Sequence, residues 1–344
     1  MEYILNKLPV KTTNNFKVND LKINLDIPDI TDMRKFTIVN NDYLEITQEI
    51  VDNTLTSKIG LSFSKYLDVN ITIPKGVKVD NSVILEYDFS DDDNLVDKIN
   101  FNFEENSSCN FIVIYKSIDN NKHFHHLVSS ITNNINSKGN ITYINLMNEV
   151  SYNFMAIEND SLIGSTITNN IIDIGADIKI YNVYSNVYNN AINNLNNIYL
   201  GSNNNIIDMN YYLNNIGENS KNIMRVEGTI DDNCKKVFRG TIDFIEGCKN
   251  SIGDENENCV LLSDNVISRS LPQMLCHEED VVGSHGVSSG RVDEEKLFYL
   301  MTHGYSKKDA EKLIVMANLS KIINEVKDDN IRENVLHIID EKIS

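Results

Sequence analysis

The sequence has no apolar run approaching the eighteen residues that would mark a membrane-spanning helix. It has no Cys-x-x-Cys pair. Its five cysteines, an odd number, are scattered at 109, 234, 248, 259 and 276. That pattern excludes a disulfide framework and argues for a reducing compartment. No Gly-x-x-x-x-Gly-Lys-Ser/Thr loop is present, so the chain carries no P-loop of its own. Positive charge is scarce. Against 50 Asp and Glu stand 31 Lys and Arg, a formal charge of −19, whereas a duplex-DNA face needs a basic surface. Tryptophan is absent and proline occurs only four times. The opening residues, MEYILNKLPVK, lack the apolar core of a secretory signal. The expectation is a soluble cytoplasmic protein with neither a membrane nor a nucleic-acid partner. The Asn-x-Ser/Thr sites at Asn70, Asn106 and Asn140 are then accidental.

What is present is β-structure. The hydrophobic fraction, 41% over 344 residues, is enough for a core in one elongated domain or two ordinary ones. Residues 1–50 read as a partly extended lead-in. From about 51 to 275, short runs of Ile, Val, Tyr, Phe and Thr alternate with polar residues and break at Asn, Asp, Gly or Ser. LDVNITIP (67–74), CNFIVIYKS (109–117), GNITYINLMN (139–148), ADIKIYNVYSN (176–186) and NNIIDMNYYLNN (204–215) are examples. No long helical pattern separates them, which disfavours a βαβ protein. A β-solenoid, whose rungs stack only on their neighbours, fits best, although the spacing is irregular. Asparagine is abundant and suits a fold with many tight turns. From about 291 the pattern turns helical. Asp293 is placed to cap one helix and Gly304 to end it; Ser306 and Asp309 have capping-box spacing before the next, and 331–343 reads as a last helix. The division expected is a lead-in at 1–50, a β-helix core at 51–290 and a C-terminal helical lobe at 291–344.

Chemistry concentrates in CHEEDVVGSHG (276–286), where a cysteine, two histidines and three carboxylates fall within eleven residues. It reads as a metal site, a catalytic loop or a polar turn. GVSSG (286–290) matches the nucleophile-elbow pattern, but that motif needs a strand–turn–helix in an α/β sheet. KHFHH (122–126) puts His123 and His125 on one strand face and His126 on the other, with no third ligand evident, and reads as a surface histidine cluster.

The segments FRGTIDF, LLSD, SLPQMLC, SHG and GRVDEEKLFYLMTHG, with their spacing across 237–315, resemble the SufB/SufD family of iron–sulfur cluster assembly proteins. LNKLPVKTTNNFKVND (5–20) and VNITIPKGVKV (69–79) match more loosely. The resemblance implies a mainly β protein, a right-handed parallel β-helix with helical flanks. The chain is short for that family and looks like the compact SufB-like members that pair with themselves. What the family implies is a scaffold, not an enzyme, that assembles a transient iron–sulfur cluster where two β-helices meet. It also implies a sulfur donor, apo-protein acceptors and a separate SufC-like ABC ATPase. His285, in Ser284-His285-Gly286, matches the family's cluster-linked histidine. The cysteine position falls on Glu257 when the apolar and SLP segments are aligned without gaps, with Cys259 two residues on. Residues i and i+2 of a strand share a face, so the ligand is open between Glu257 and Cys259. Cys276 lies near a second family cysteine. The plainer readings are a backbone-bonded turn for His285 and small buried hydrophobes for Cys259 and Cys276. The ATPase would dock on the segment holding Phe298, Tyr299, Leu300 and Met301, some of which must pack on the β-helix. The alternative is a SufD-like structural subunit, in a heterodimer with a separate SufB.

Overall fold

The computed structural model describes residues 1–28, 30 and 33–343. Two short strands, β1 (Glu2–Leu5) and β2 (Leu21–Asn24), pair antiparallel. β3 (Thr37–Val39) and β4 (Glu45–Asp52) then begin two separate sheets. The later strands alternate between those sheets. They are β5 (Lys65–Ile73), β6 (Val83–Phe89), β7 (Leu95–Phe103), β8 (Ser108–Ser117), β9 (Phe124–Asn133), β10 (Lys138–Leu146), β11 (Tyr152–Ser161) and β12 (Thr166–Asp173). After them come β13 (Ile178–Val187), β14 (Ile192–Gly201), β15 (Ile206–Asn215), β16 (Lys221–Ile230), β17 (Lys235–Phe244), β18 (Ser251–Leu261), β19 (Ile267–Cys276) and β20 (Val281–Arg291). One nine-stranded sheet runs β3-β6-β8 and on through the even strands to β20; the other runs β4-β5-β7 and on through the odd strands to β19. The first pairing in each, β3 with β6 and β4 with β5, is antiparallel, and every later one is parallel. The result is a β-solenoid of about eight turns.

The turns explain part of the asparagine excess. One corner is built by Gly76, Asn106, Asn136, Gly164, Asn190, Asn219 and Asn250, all with positive φ. Each donates its backbone N–H to a carbonyl in the next coil, over 2.7 to 3.0 Å. Asparagine enters the left-handed region more readily than other side-chain-bearing residues, so a stack of such corners can use it where glycine would otherwise be needed. A second set is buried in the interior and bonds from rung to rung, as Asn133 does to Asn159 and Asn159 to Ser185. The rungs differ in length. Asn170 and Asn196, paired in register on successive rungs, are 26 residues apart, while Arg239 and its register partner Leu271 are 32 apart. That variation hides a fixed period in the sequence.

Beyond β20 come α1 (Glu294–Thr302), α2 (Lys307–Ile323) and α3 (Asp329–Lys342). Asp293 accepts from the amides of Glu295 and Lys296, Gly304 has φ +95°, and Ser306 and Asp309 exchange two hydrogen bonds. The capping signals therefore act as the sequence predicts. α2 and α3 turn back over the first sheet. Val315, Leu319, Ile322, Ile323, Val335 and Ile339 form one cluster with Ile112, Ile144, Ile172 and Ile198 on its outer face. The N-terminal segment covers part of the other sheet, where Asn6 bonds Asp208 and Gln273 reaches the Val10 carbonyl. Among the described residues no helix is long and apolar enough to cross a membrane.

Candidate functional site

The last coils of the solenoid hold a polar cluster in their interior. In β18 the buried face reads Ser251, Gly253, Glu255, Glu257 and Cys259, while Ile252, Asp254, Asn258 and Val260 are half-buried on the other side. Two carboxylates and a thiol thus point inward, as Asp97 with His125 and Asp173 with Lys179 do in earlier coils. Glu257 is fully buried and fully partnered. Its Oε1 accepts from Lys236 Nζ at 2.6 Å and Tyr199 OH at 2.9 Å, and its Oε2 accepts from Ser270 Oγ at 2.7 Å. Lys236 also donates to Ser270 at 2.8 Å. The tyrosine hydroxyl is held far from ionising, first by burial and then by the Glu257 charge.

Cys259 belongs to the same cluster. It is 3% exposed. Burial pushes its thiol up, and the Lys236 ammonium is the largest opposing influence. Cys234 is buried nearby, its thiol pushed up to about 12 chiefly by burial. Glu255, two residues before Glu257, is also fully buried, but neither of its oxygens has a hydrogen-bond partner.

His285 lies on β20, the final strand of its sheet, and is exposed. Its lateral partner on β18 is Glu255; Val287 stands beside Glu257 and Ser289 beside Cys259. His285 and Cys259 are therefore on adjacent strands, offset by four residues, roughly 13 Å along the strand. Cys276 ends β19 in the other sheet, exposed, beside Phe244 and at the opposite corner from Cys259. The fold joins Glu257 and Cys259 in one cluster, sets His285 on the next coil and leaves Cys276 apart. Among the described residues no three His, Cys, Asp or Glu side chains gather closely enough to hold a metal ion.

CHEEDVVGSHG spans the turn after β19 and the first half of β20. Glu278, in that turn, accepts from the amides of Gly247, Glu279 and Asp280 and is held below its usual range by them. GVSSG is plain strand inside β20, so no nucleophile elbow forms. The surface reading of KHFHH is overturned, because all three histidines are buried. His125 bonds Asp97 at 2.9 Å and Asn153 at 2.6 Å, and His123 bonds Asp119 at 2.8 Å. His126 faces the other way, beneath Ser57 and Phe63 of the N-terminal region. On α1, Phe298, Tyr299 and Met301 are exposed (69%, 61% and 44%), and Leu300 is half-buried.

Sequence reasoning missed Lys236, Tyr199 and Glu255. For Glu255 a signal existed, since Glu255, Glu257 and Cys259 recur at every second position of a strand. Lys236 and Tyr199 reach Glu257 across 21 and 58 residues, a proximity set by rung lengths that no local pattern shows.

The profile of a family described as "SUF system FeS cluster assembly, SufBD core domain" matches residues 89–318. The iron–sulfur cluster assembly protein SufD of Bacillus subtilis is 27% identical over 127 residues, 37% of this chain and 29% of that protein. SufD of Escherichia coli is 27% identical over 114 residues, 33% of this chain and 27% of its own length. An iron–sulfur cluster assembly SufBD family protein of Pyrococcus horikoshii is 28% identical over 132 residues, 38% of this chain and 29% of its own. The chain thus spans less than a third of each of these relatives.

Proposed function

The chain belongs to the SufBD family of the SUF iron–sulfur cluster assembly system, and from that premise we propose that it is the scaffold on which a nascent cluster is built. In this reading two copies meet through the open ends of their solenoids. His285 of one and Cys259 or Glu257 of the other hold iron and sulfide, which are the cargo. A SufC-like ABC ATPase docks on the exposed Phe298, Tyr299 and Met301 of α1, and its ATP-driven closure rearranges the interface. The product passes to apo-protein acceptors, and the sulfur comes from a separate donor. The chain itself turns over no small substrate.

The observation that carries this reading is the polar, thiol-bearing interior at the solenoid's open end. Earlier coils bury ion pairs too, Asp97 with His125 and Asp173 with Lys179, but this cluster adjoins the last strands of both sheets and sets a thiol beside its pair. Glu257, Lys236 and Cys259 are a set that contributes little net stability relative to apolar side chains. Thiolate, imidazole and carboxylate are ligand types that iron accepts. Cys259 must lose its proton to bind iron, which its burial opposes and Lys236 favours. A scaffold must also release its cluster, and few mixed ligands divided between two chains suit release better than four thiolates of one chain.

The SufD names of two relatives favour a second reading, in which the chain is a structural subunit beside a separate SufB. Anaerobic reconstitution with iron and sulfide separates the two, with visible absorption and bound iron per chain as readouts. The scaffold reading expects a cluster, lost in His285→Ala and reduced several-fold or more in Cys259→Ser, with ATPase binding intact in both. A chain that binds the ATPase yet forms no cluster under any condition is the structural subunit.

A further inference from the structure

Glu255 is the buried acid that the Glu257 cluster leaves out. Glu257 receives three donors, whereas Glu255 is equally buried and receives none. Its carboxylate crosses the interior to rest on Gly240 of β17, where any Cβ would collide with Oε1. The fold therefore leaves room for this carboxylate and supplies it with no partner. A buried polar group in that condition lowers stability.

Its position says what the missing partner is. Glu255 lies one strand from the end of its sheet, and its lateral neighbour on the last strand is His285. Paired strands are about 4.8 Å apart, and laterally paired residues project to the same side. Glu255, buried and without a donor, and His285, exposed, are thus neighbours in register on the last two strands of the sheet. Oxygen plus imidazole nitrogen is a donor set that suits a divalent transition metal. One chain supplies too few ligands for a closed site, since no cluster of three exists among the described residues.

We propose that Glu255 and His285 form a half-site that takes up ferrous iron at the open end before sulfide arrives, and that a second copy of the chain completes its coordination. The inference rests on the reading of His285 as a cluster ligand and adds an iron-receiving carboxylate to it.

The test is anaerobic titration of the full-length protein with Fe(II), and with Co(II) as an optical probe, for wild type, E255Q, E255M and H285A. Thermal midpoints are recorded without metal. The expected result is a weakening of both metals by tenfold or more in all three variants. E255Q and E255M should melt at or above the wild-type temperature, because each removes an unpartnered acid. E255Q that binds both metals like wild type overturns the inference, as does a wild type that binds neither. The outcomes separate from those of the proposed function. Metal uptake that depends on Glu255, with no cluster on adding sulfide, leaves the half-site standing and the scaffold reading refuted. Cluster assembly in wild type, with unchanged metal affinity in E255Q, does the reverse.

Discussion

His126 is a buried histidine with a measurable consequence for acid stability. Burial, and next the charge of His125, push its pKa down to about 3, whereas an unfolded histidine titrates near 6.5. Between those values the unfolded chain binds a proton that the native chain does not. Its contribution is therefore full above about pH 6.5 and falls by about 1.4 kcal/mol per unit as the pH drops towards 3. Urea midpoints at pH 7.5 and 5.5 should show this loss in wild type and a smaller one in His126→Gln. Equal losses in both would assign the acid limb to other groups. The sequence placed these histidines correctly on opposite strand faces but misjudged their exposure. The face of His126 is covered by residues near 57 and 63, and such cover leaves no mark on the pentapeptide itself.

At the scale of elements, the corner stack is the device most open to test. Asn219 holds φ +56° and donates to the Lys249 carbonyl at 2.8 Å. Asn219→Ala should cost about 1 kcal/mol, because alanine resists the left-handed region; Asn219→Gly should be close to neutral. Chemical denaturation of the two variants checks this, and an equal cost in both would mean that side-chain contacts govern that corner. The strands themselves were legible in the sequence. CNFIVIYKS and NNIIDMNYYLNN fall on β8 and β15 within about two residues, because alternation is enforced by a buried and an exposed face. Alternation weakens where α2 and α3 bury the outer face as well, as at Ile112 and Ile114 between Phe111, Val113 and Tyr115. A strand covered on both sides reads as a continuous apolar run.

For the whole molecule, each coil leans only on its neighbours, so stability is expected to grade along the axis. Hydrogen exchange should be slowest in β11 to β15 and fastest in β19 and β20, which end their sheets. Binding of a second copy at that end should slow β19 and β20 selectively, and uniform exchange along the axis would contradict this picture. The solenoid class and the helical lobe could be read from the sequence, whereas the candidates at 257, 259, 276 and 285 came from the family resemblance. What could not be read was which of them share a cluster, Glu257 with Cys259, and which the winding leaves apart, Cys276. With rungs of 26 to 32 residues, the companion of Glu257 is decided by the winding and not by sequence distance.

The helical lobe also has a bearing on how the chain is made. The outward row Ile112, Ile144, Ile172 and Ile198 is sealed by side chains between Val315 and Ile339. During synthesis those isoleucines emerge and stack into a greasy stripe long before their lid exists. A ribosome-bound intermediate must carry that stripe open to the cell, within reach of chaperones and of other nascent chains. The last helices thus act as the closing stitch of biogenesis, and their delay defines the interval in which the protein is most prone to aggregate.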